Sequence, residues 1–256
     1  MLKKRHQAFS RTCLKIGLIV GSVVLVVQLI SADSTARGVS LNQPIKLAAI
    51  EGIYETKPCT PIGVVGWVDT KDQTVTGIKI PALLSFLVSR NFETPVPGLN
   101  EFPKDEWPNV AVVFQTYHLM LLMWGAMVFS VLLALHWWKR KKIEQAKWTL
   151  RLLVVSVLFP QLANQAGWFT AEMGRQPWLV YKLLRTSQGV SASIQSSQVF
   201  SSIIMFIVIY LLLFFLFVYL LNRKIQHGPI EEHSIQEDPT LTEYRNPYTD
   251  KGSSHD

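Results

Sequence analysis

Charge and cysteine are what this chain is short of. Only 17% of its 256 residues are charged, against about 25% in an average soluble domain. With 49% hydrophobic residues and a mean hydropathy of +0.23, a soluble enzyme is effectively excluded. Two cysteines, Cys13 and Cys59, cannot build a disulfide scaffold. No C-x-x-C, C-x-x-C-H or Cys/His cluster occurs in the sequence, which excludes zinc fingers and covalently attached c-type haem. The formal charge of +7 does not indicate nucleic acid, because the basic residues flank apolar runs, the pattern that sets membrane topology.

What the chain has in excess is long apolar runs. A bilayer crossing needs about 20 mostly apolar residues, and four segments qualify: Ile16 to Ala32, Val110 to Leu135, Trp148 to Ala171 and Val199 to Leu221. Lys3, Lys4, Arg5, Arg11 and Lys15 precede the first span, Lys139 to Lys142, Lys147 and Arg151 surround the second connection, and Arg223 and Lys224 follow the last. The positive-inside rule makes those sides cytoplasmic. The expected organisation is a cytoplasmic basic N-terminus (1–15), a span (16–32), an external segment (33–109), a span (110–135), a cytoplasmic loop (136–147), a span (148–171), an external loop (172–198), a span (199–221) and a disordered cytoplasmic tail (222–256). Both termini are then cytoplasmic, and the two cysteines lie on opposite sides of the membrane. A cleavable signal peptide is the competing reading of the start, since small residues Ser34, Thr35 and Ala36 follow the apolar stretch. The fold class expected is an all-α, polytopic membrane helix bundle. The spans are too unlike one another for an inverted-repeat transporter, and their polar residues gather near the outer ends.

Polar residues in membrane segments are costly and mark interiors or sites. In the third span, Pro160 should kink the helix, and Asn164, Trp168 and Glu172 follow at i, i+4, i+8, one stripe on one face. Pro177 disfavours helix at Gln176, so the helix should stop near Gly174 with Glu172 in its last turn. Two readings stand side by side: an interface boundary, with Trp168 and Trp178 as anchors and Glu172 paired to Arg175, or a site in which Glu172 ligates a metal or relays protons and Arg175 binds an anion. The second span opens with Gln115, Thr116, Tyr117 and His118, then Met120, Met123 and Met127 on one face. That stripe reads as helix packing or as a source of one thioether ligand. His118 and Met120 lie roughly 200° apart on a helix and cannot serve one iron from this segment. The segment from Ser31 to Asn109 holds eight prolines and is too long for a plain connector. Its best helix is IKLAAIEGIYE, stopped by Pro58, which would put Glu51 and Glu55 on one face, raising the proton affinity of one carboxylate, with Lys46 one turn before them.

Together, KLAAIE at Lys46 to Glu51, TPVPGL at Thr94 to Leu99, HLM at His118 to Met120 and above all GWFTAEMGRQPW at Gly167 to Trp178 closely resemble subunit I of the cytochrome bd quinol oxidases. The resemblance runs from about Arg5 to Asn222 and covers the second half of that subunit. It implies that the external segment is a compact quinol-binding Q loop in which Lys46 and Glu51 act in quinol oxidation, Glu51 accepting a proton and Lys46 orienting the ring oxygen. It implies that Met120 is the thioether ligand to the low-spin b haem iron and Glu172 the carboxylate ligand to the high-spin b haem iron. Trp168 would sit beside the haem pair and Arg175 would hold propionates through bidentate bonds. His118 stands where many members carry an arginine near propionates, and a neutral imidazole loses that ion pair.

The function implied is oxidation of ubiquinol or menaquinol and, through the b haems and haem d, reduction of oxygen to water in a bacterial cytoplasmic (inner) membrane. The implied partners are subunit II, a separately encoded N-terminal half of subunit I, a small accessory membrane subunit and membrane lipid, with no nucleic acid. The family's axial histidines lie on helices that this sequence does not contain, so the chain alone should not assemble the full haem set. The alternative is a non-catalytic truncated paralogue or membrane scaffold without haem.

Overall fold

The computed structural model describes residues 1–2, 7–189 and 193–227. Four helical segments are long and apolar enough to cross a membrane, as the hydropathy pattern leads one to expect. The chain divides into two compact units, Met1–Val190 and Ser191–Asp256. The second consists, within the described residues, mainly of the apolar helix α7 (Ser196–His227).

Boundaries move where local chemistry extends or interrupts a helix. The first span, expected over Ile16 to Ala32, is part of a longer helix α1 (Gln7–Asn42). Its polar end stays helical because Asp33 pairs with Arg37 one turn on, at 2.6 Å, and because Val39 packs against Leu47, Leu84 and Val96. Lys3, Lys4 and Arg5 lie outside the described residues. The second span, α4 (Val110–Lys139), starts as expected, with the Asn109 side chain accepting the Val112 N–H at 3.2 Å, an N-cap bond. The third span is not one helix but two, α5 (Lys147–Val155) and α6 (Leu158–Met173). Pro160 has no N–H to give the Ser156 carbonyl, which instead takes the Phe159 N–H at 3.2 Å. α6 ends at Met173, before the Pro177 that forbids continuation. Residues 222–227, expected in the disordered tail, continue α7, since NRKIQ holds good helix formers. The rest of that tail, 228–256, lies outside the described residues.

The segment between α1 and α4 is folded. Helix α2 (Pro44–Glu51) opens on a proline at N1 and closes on Gly52 at φ 65°. The expected helix to Pro58 is therefore cut at Glu51. Glu55 does not share its face; it is exposed and paired with Lys57. A hairpin follows, β1 (Ile62–Asp69) antiparallel to β2 (Thr74–Ile80), with a bulge between Gly63 and Val65, then helix α3 (Leu83–Ser89). After α6, β3 (Trp178–Val180) pairs with β4 (Leu184–Arg185). These two hairpins are the non-helical additions to an otherwise helical architecture.

The main core forms where this segment lies on the first turns of α4. Ile45, Ala48, Ala49 and Ile50 of α2 pack with Val68 of β1, Leu99 and Val110, Val113 and Phe114 of α4. Burying the isoleucine, valine, leucine and phenylalanine side chains among these contributes about 1.5–3 kcal/mol each. α4 also packs along α6, where Thr116 and Thr170 join hydroxyls at 2.9 Å. There Gly167 leaves room for Met120, whose Sδ stands 2.9 Å from where a Cβ would be. Small residues at a helix contact allow this approach.

Candidate functional site

Helix α2 presents Lys46 and Glu51 about 140° apart, since five residues separate them. The structure accordingly places them in two different surroundings rather than one. Lys46 reaches the end of α6: its Nζ donates to the Ala171 carbonyl at 3.3 Å, and its Cε would stand 3.1 Å from a Cβ on Gly174. There it lines a cavity of about 150 Å³ with Arg175, Gln176, Trp178 and Glu106. Burial and the Arg175 guanidinium lower the Lys46 pKa, against the opposing pull of Glu172.

Glu172, in the last turn of α6, is held by Arg175 at 2.6 Å. With Asn164 and Trp168 it forms the expected stripe, and that stripe looks away from α4: the buried face of α6 carries Ala166 and Thr170, whereas Trp168 is 57% exposed. Lys46, Glu172 and Arg175 thus gather two cations and one carboxylate at the end of an aromatic-bearing helix face.

Glu51 points the other way. It is 5% exposed, its Oε2 accepts the Gly63 N–H at 3.3 Å, and its Oε1 has no partner among the described residues. Burial pushes its pKa up to about 7, with the Gly63 hydrogen bond pulling in the other direction. It lines a cavity of about 530 Å³ between α2 and the hairpin, together with Tyr54, Lys57, Thr60 and Lys79. A group titrating near neutrality beside such a cavity is suited to take up and release protons.

His118 belongs to the Glu51 surroundings, not to those of Arg175. It is 5% exposed, stacked on Phe114 at 4.0 Å and edge-on to Tyr117 at 5.5 Å, and its ring abuts Gly63 of β1. Gln115 of the same helix donates to the Gly66 carbonyl at 3.4 Å. Gly63 and Gly66 are site-shaping residues that the sequence reading passed over. Glycines interrupting a β-branched run are the available signal for a strand laid closely on another element.

Haem ligation can be tested against the donor set. A thioether on α4 (Met120), a carboxylate on α6 (Glu172) and two cations beside that carboxylate supply the groups that haem irons and propionates require. The open face carrying Trp168 and Glu172 leaves the carboxylate accessible. Among the described residues, no cluster of three or more His, Cys, Asp or Glu side chains offers a competing metal site. The donor set fits.

Comparison with known proteins agrees with this geometry. Residues 1–229 match the family model described as cytochrome bd terminal oxidase subunit I. The chain is 34% identical over 250 residues to the cytochrome bd ubiquinol oxidase subunit 1 of Bacillus subtilis (strain 168), covering 93% of this chain and 53% of that one. It is 27% identical to the cytochrome bd-II ubiquinol oxidase subunit 1 of Escherichia coli (strain K12), covering 92% and 59%. The structure of bd oxidase from Geobacillus thermodenitrificans superposes with a TM-score of 0.75 at 26% identity, covering 89% of this chain and 52% of that one. The chain therefore spans about half the length of the relatives it matches. With a family model matched over most of its length and four apolar helices of membrane-spanning size, the chain is a membrane protein that belongs to the cytochrome bd terminal oxidase subunit I family.

Proposed function

We propose that this chain supplies the quinol-oxidising segment and two haem-ligand helices of a cytochrome bd-type quinol oxidase in a bacterial cytoplasmic membrane. The observation that carries this reading is the placement of α2. One helix sets a buried carboxyl, Glu51, against the α4 that carries Met120, and sets a cation, Lys46, against the α6 that carries Glu172. Residues suited to proton uptake are thereby built onto the two helices suited to haem ligation.

In this reading Glu51 accepts a proton from a quinol hydroxyl at the larger cavity: the substrate O–H bond breaks and the proton passes to a carboxylate oxygen. A base titrating near 7 is matched to that task at neutral pH. Met120 and Glu172 would hold the low-spin and high-spin b haem irons, Arg175 would bind propionates at the end of α6, and Lys46 would orient the quinol ring oxygen. Trp168, on the same face as Glu172, would stack beside the cofactor. Haem b supplies one-electron transfer when bound. Haem d, the histidine ligands, subunit II and any small accessory subunit belong to the remainder of the assembly, and the quinol is ubiquinol or menaquinol. The segment between α1 and α4 faces the outer side, with both termini cytoplasmic, because the basic residues flank the opposite ends of the spans.

The test is a reduced-minus-oxidised absorbance spectrum of the chain purified from its native membranes with its partners. Haem b and haem d bands are expected, with the high-spin b contribution lost on Glu172→Ala. A haem-free spectrum from an intact, folded chain overturns the reading in favour of a non-catalytic scaffold.

A further inference from the structure

The opposite end of α4 carries a group of cations for which neither quinol oxidation nor haem binding has a use. α4 stops at Lys139, and Lys141 takes the left-handed conformation, φ 54°, that glycine usually supplies at this point. The Lys141 N–H then bonds to the Trp138 carbonyl at 2.9 Å and the Lys142 N–H to the Trp137 carbonyl at 3.1 Å, and the chain turns sharply. Ile143 fixes the turn: it is buried and packs with Leu18, Ala134 and Leu150. The connection to α5 is therefore a built surface and not a free loop.

A cavity of about 790 Å³ opens between this turn and the first turns of α5. Lys142, Lys147 and Arg151 line it, with the indoles of Trp137 and Trp148. Lys147 and Arg151 lie one turn apart on one face of α5, and the Arg151 guanidinium stands over the Trp148 ring at 5.3 Å. Among the described residues, no carboxylate lines the cavity and none of the three cations forms an ion pair. Glu144, the acid of this connection, is exposed and outside the lining. Arg11 of α1, over the Trp138 ring at 5.8 Å, adds a further cation at the same end of α4.

Three unpaired cations around one cavity call for an anion, and the adjoining surfaces say which kind. Leu133 and Trp137 of the lining continue at helical spacing to Phe129, which is exposed on α4, and Arg151 continues to Val154 and Val155, exposed on α5. In a membrane protein such surfaces take acyl chains, and tryptophan marks the headgroup level. Trp148, at the cavity, is 80% exposed. A phosphate diester bound here would lay its chains on surfaces that are already apolar, whereas a free anion gains nothing from them. A zwitterionic lipid would bring an ammonium among three like charges.

We propose that this cavity binds one anionic phospholipid, its phosphate held by the Arg151 fork and by Lys142 and Lys147 as point charges, beside the Trp148 indole. The lipid belongs to the inner leaflet by the orientation proposed above; the chemistry of the site does not rest on the oxidase reading.

The complex purified from its native membranes, reconstituted into phosphatidylcholine vesicles containing a photoreactive phosphatidylglycerol, tests the site through the label attached to residues 142–155 at increasing mole fraction. Labelling should saturate at low fraction, whereas photoreactive phosphatidylcholine should label only in proportion to its amount. Lys142→Gln with Lys147→Gln should raise the half-saturating fraction about 30-fold, at roughly fivefold per cation. Lys139→Gln with Arg140→Gln removes the same charge from the same end of α4 but outside the lining, and should leave the curve in place. Where the first pair does not assemble, Lys147→Gln alone should give the fivefold shift. Equal shifts from both pairs would mean diffuse surface charge and overturn the site. Labelling of both lipids in proportion, or of neither because protein covers the cavity, overturns it as well. Glycerol phosphate in solution should not displace the lipid; displacement would replace the lipid by a soluble phosphate ligand. Haem content of the same samples reports separately on the oxidase reading: saturable labelling without haem keeps the lipid site and removes that reading, and proportional labelling of a haem-replete complex does the reverse.

Discussion

Glu51 and Glu172 are both carboxylates in the last turn of a helix, at the end where the helix dipole is unfavourable to negative charge, and the chain treats them in opposite ways. Glu172 is partly open and has Arg175 at 2.6 Å. Glu51 is buried, has one backbone N–H and, among the described residues, forms no ion pair. A carboxylate beside a guanidinium at an accessible helix end can exchange that partner for a metal or a cofactor. A buried carboxyl with a pKa near 7 can exchange a proton at little cost. The same residue type, at the same place in a helix, is specialised by its surroundings alone.

Exchanging the two residues for their amides should separate these roles most sharply. Glu51→Gln should leave the haem spectrum of the assembled complex intact and lower its quinol oxidation rate by roughly 10²-fold or more, the scale of a lost general base. Glu172→Gln should change the haem spectrum itself. Identical defects in rate and spectrum for both variants would end the comparison. In the parent complex the oxidation rate should rise with pH through about 7 as Glu51 loses its proton, and that limb should vanish in Glu51→Gln.

Stability should carry the next largest difference. A carboxyl whose pKa rises from 4.5 unfolded to about 7 folded binds more protons in the native state between those values. Its contribution is fully present below the lower value and is lost as pH rises through the upper one, in all about 3 kcal/mol. The thermal midpoint of the purified complex should therefore decline over this interval more steeply than that of Glu51→Gln. Removing the exposed Arg175 pair by Glu172→Gln should cost no more than about 1 kcal/mol. An equally steep decline in Glu51→Gln would place the responsible group elsewhere.

Both carboxylates were legible in the sequence; the reason they differ was not. The stripe Asn164, Trp168, Glu172 and the partner Arg175 are local, set by helical period and by Pro177, so the pattern conveys them. Glu51 depends on contacts between elements far apart in the chain. Its burial comes from Gly63 on a hairpin and from the first turns of α4, and the sequence pattern suggested a like-charge pair with Glu55 in their place. Gly52 breaks that pair by ending the helix, a left-handed cap that a short apolar run did not reveal. The spans were legible from hydropathy, but the break before Pro160 and the extension of α1 depended on single hydrogen bonds and one ion pair. His118 could be placed on a face by periodicity, yet only the fold shows that this face meets a strand.

The smallest effect concerns Met120, which lies on α4 like His118 but faces α6. A Cβ at Gly167 would come within 2.9 Å of its Sδ. A thioether at the end of an unbranched side chain can give by a few tenths of an ångström, so Gly167→Ala should cost less than about 1 kcal/mol in stability. Gly125→Ala, where nothing lies within 4 Å, should cost nothing of this kind. If Met120 also ligates the low-spin iron, the two alanines should differ spectroscopically while remaining close in stability: Gly167→Ala should shift the low-spin b band and Gly125→Ala should leave it in place. A Gly167→Ala complex with an unshifted band would mean that the thioether serves only the packing of α4 on α6, leaving Glu172 as the one haem ligand this chain supplies.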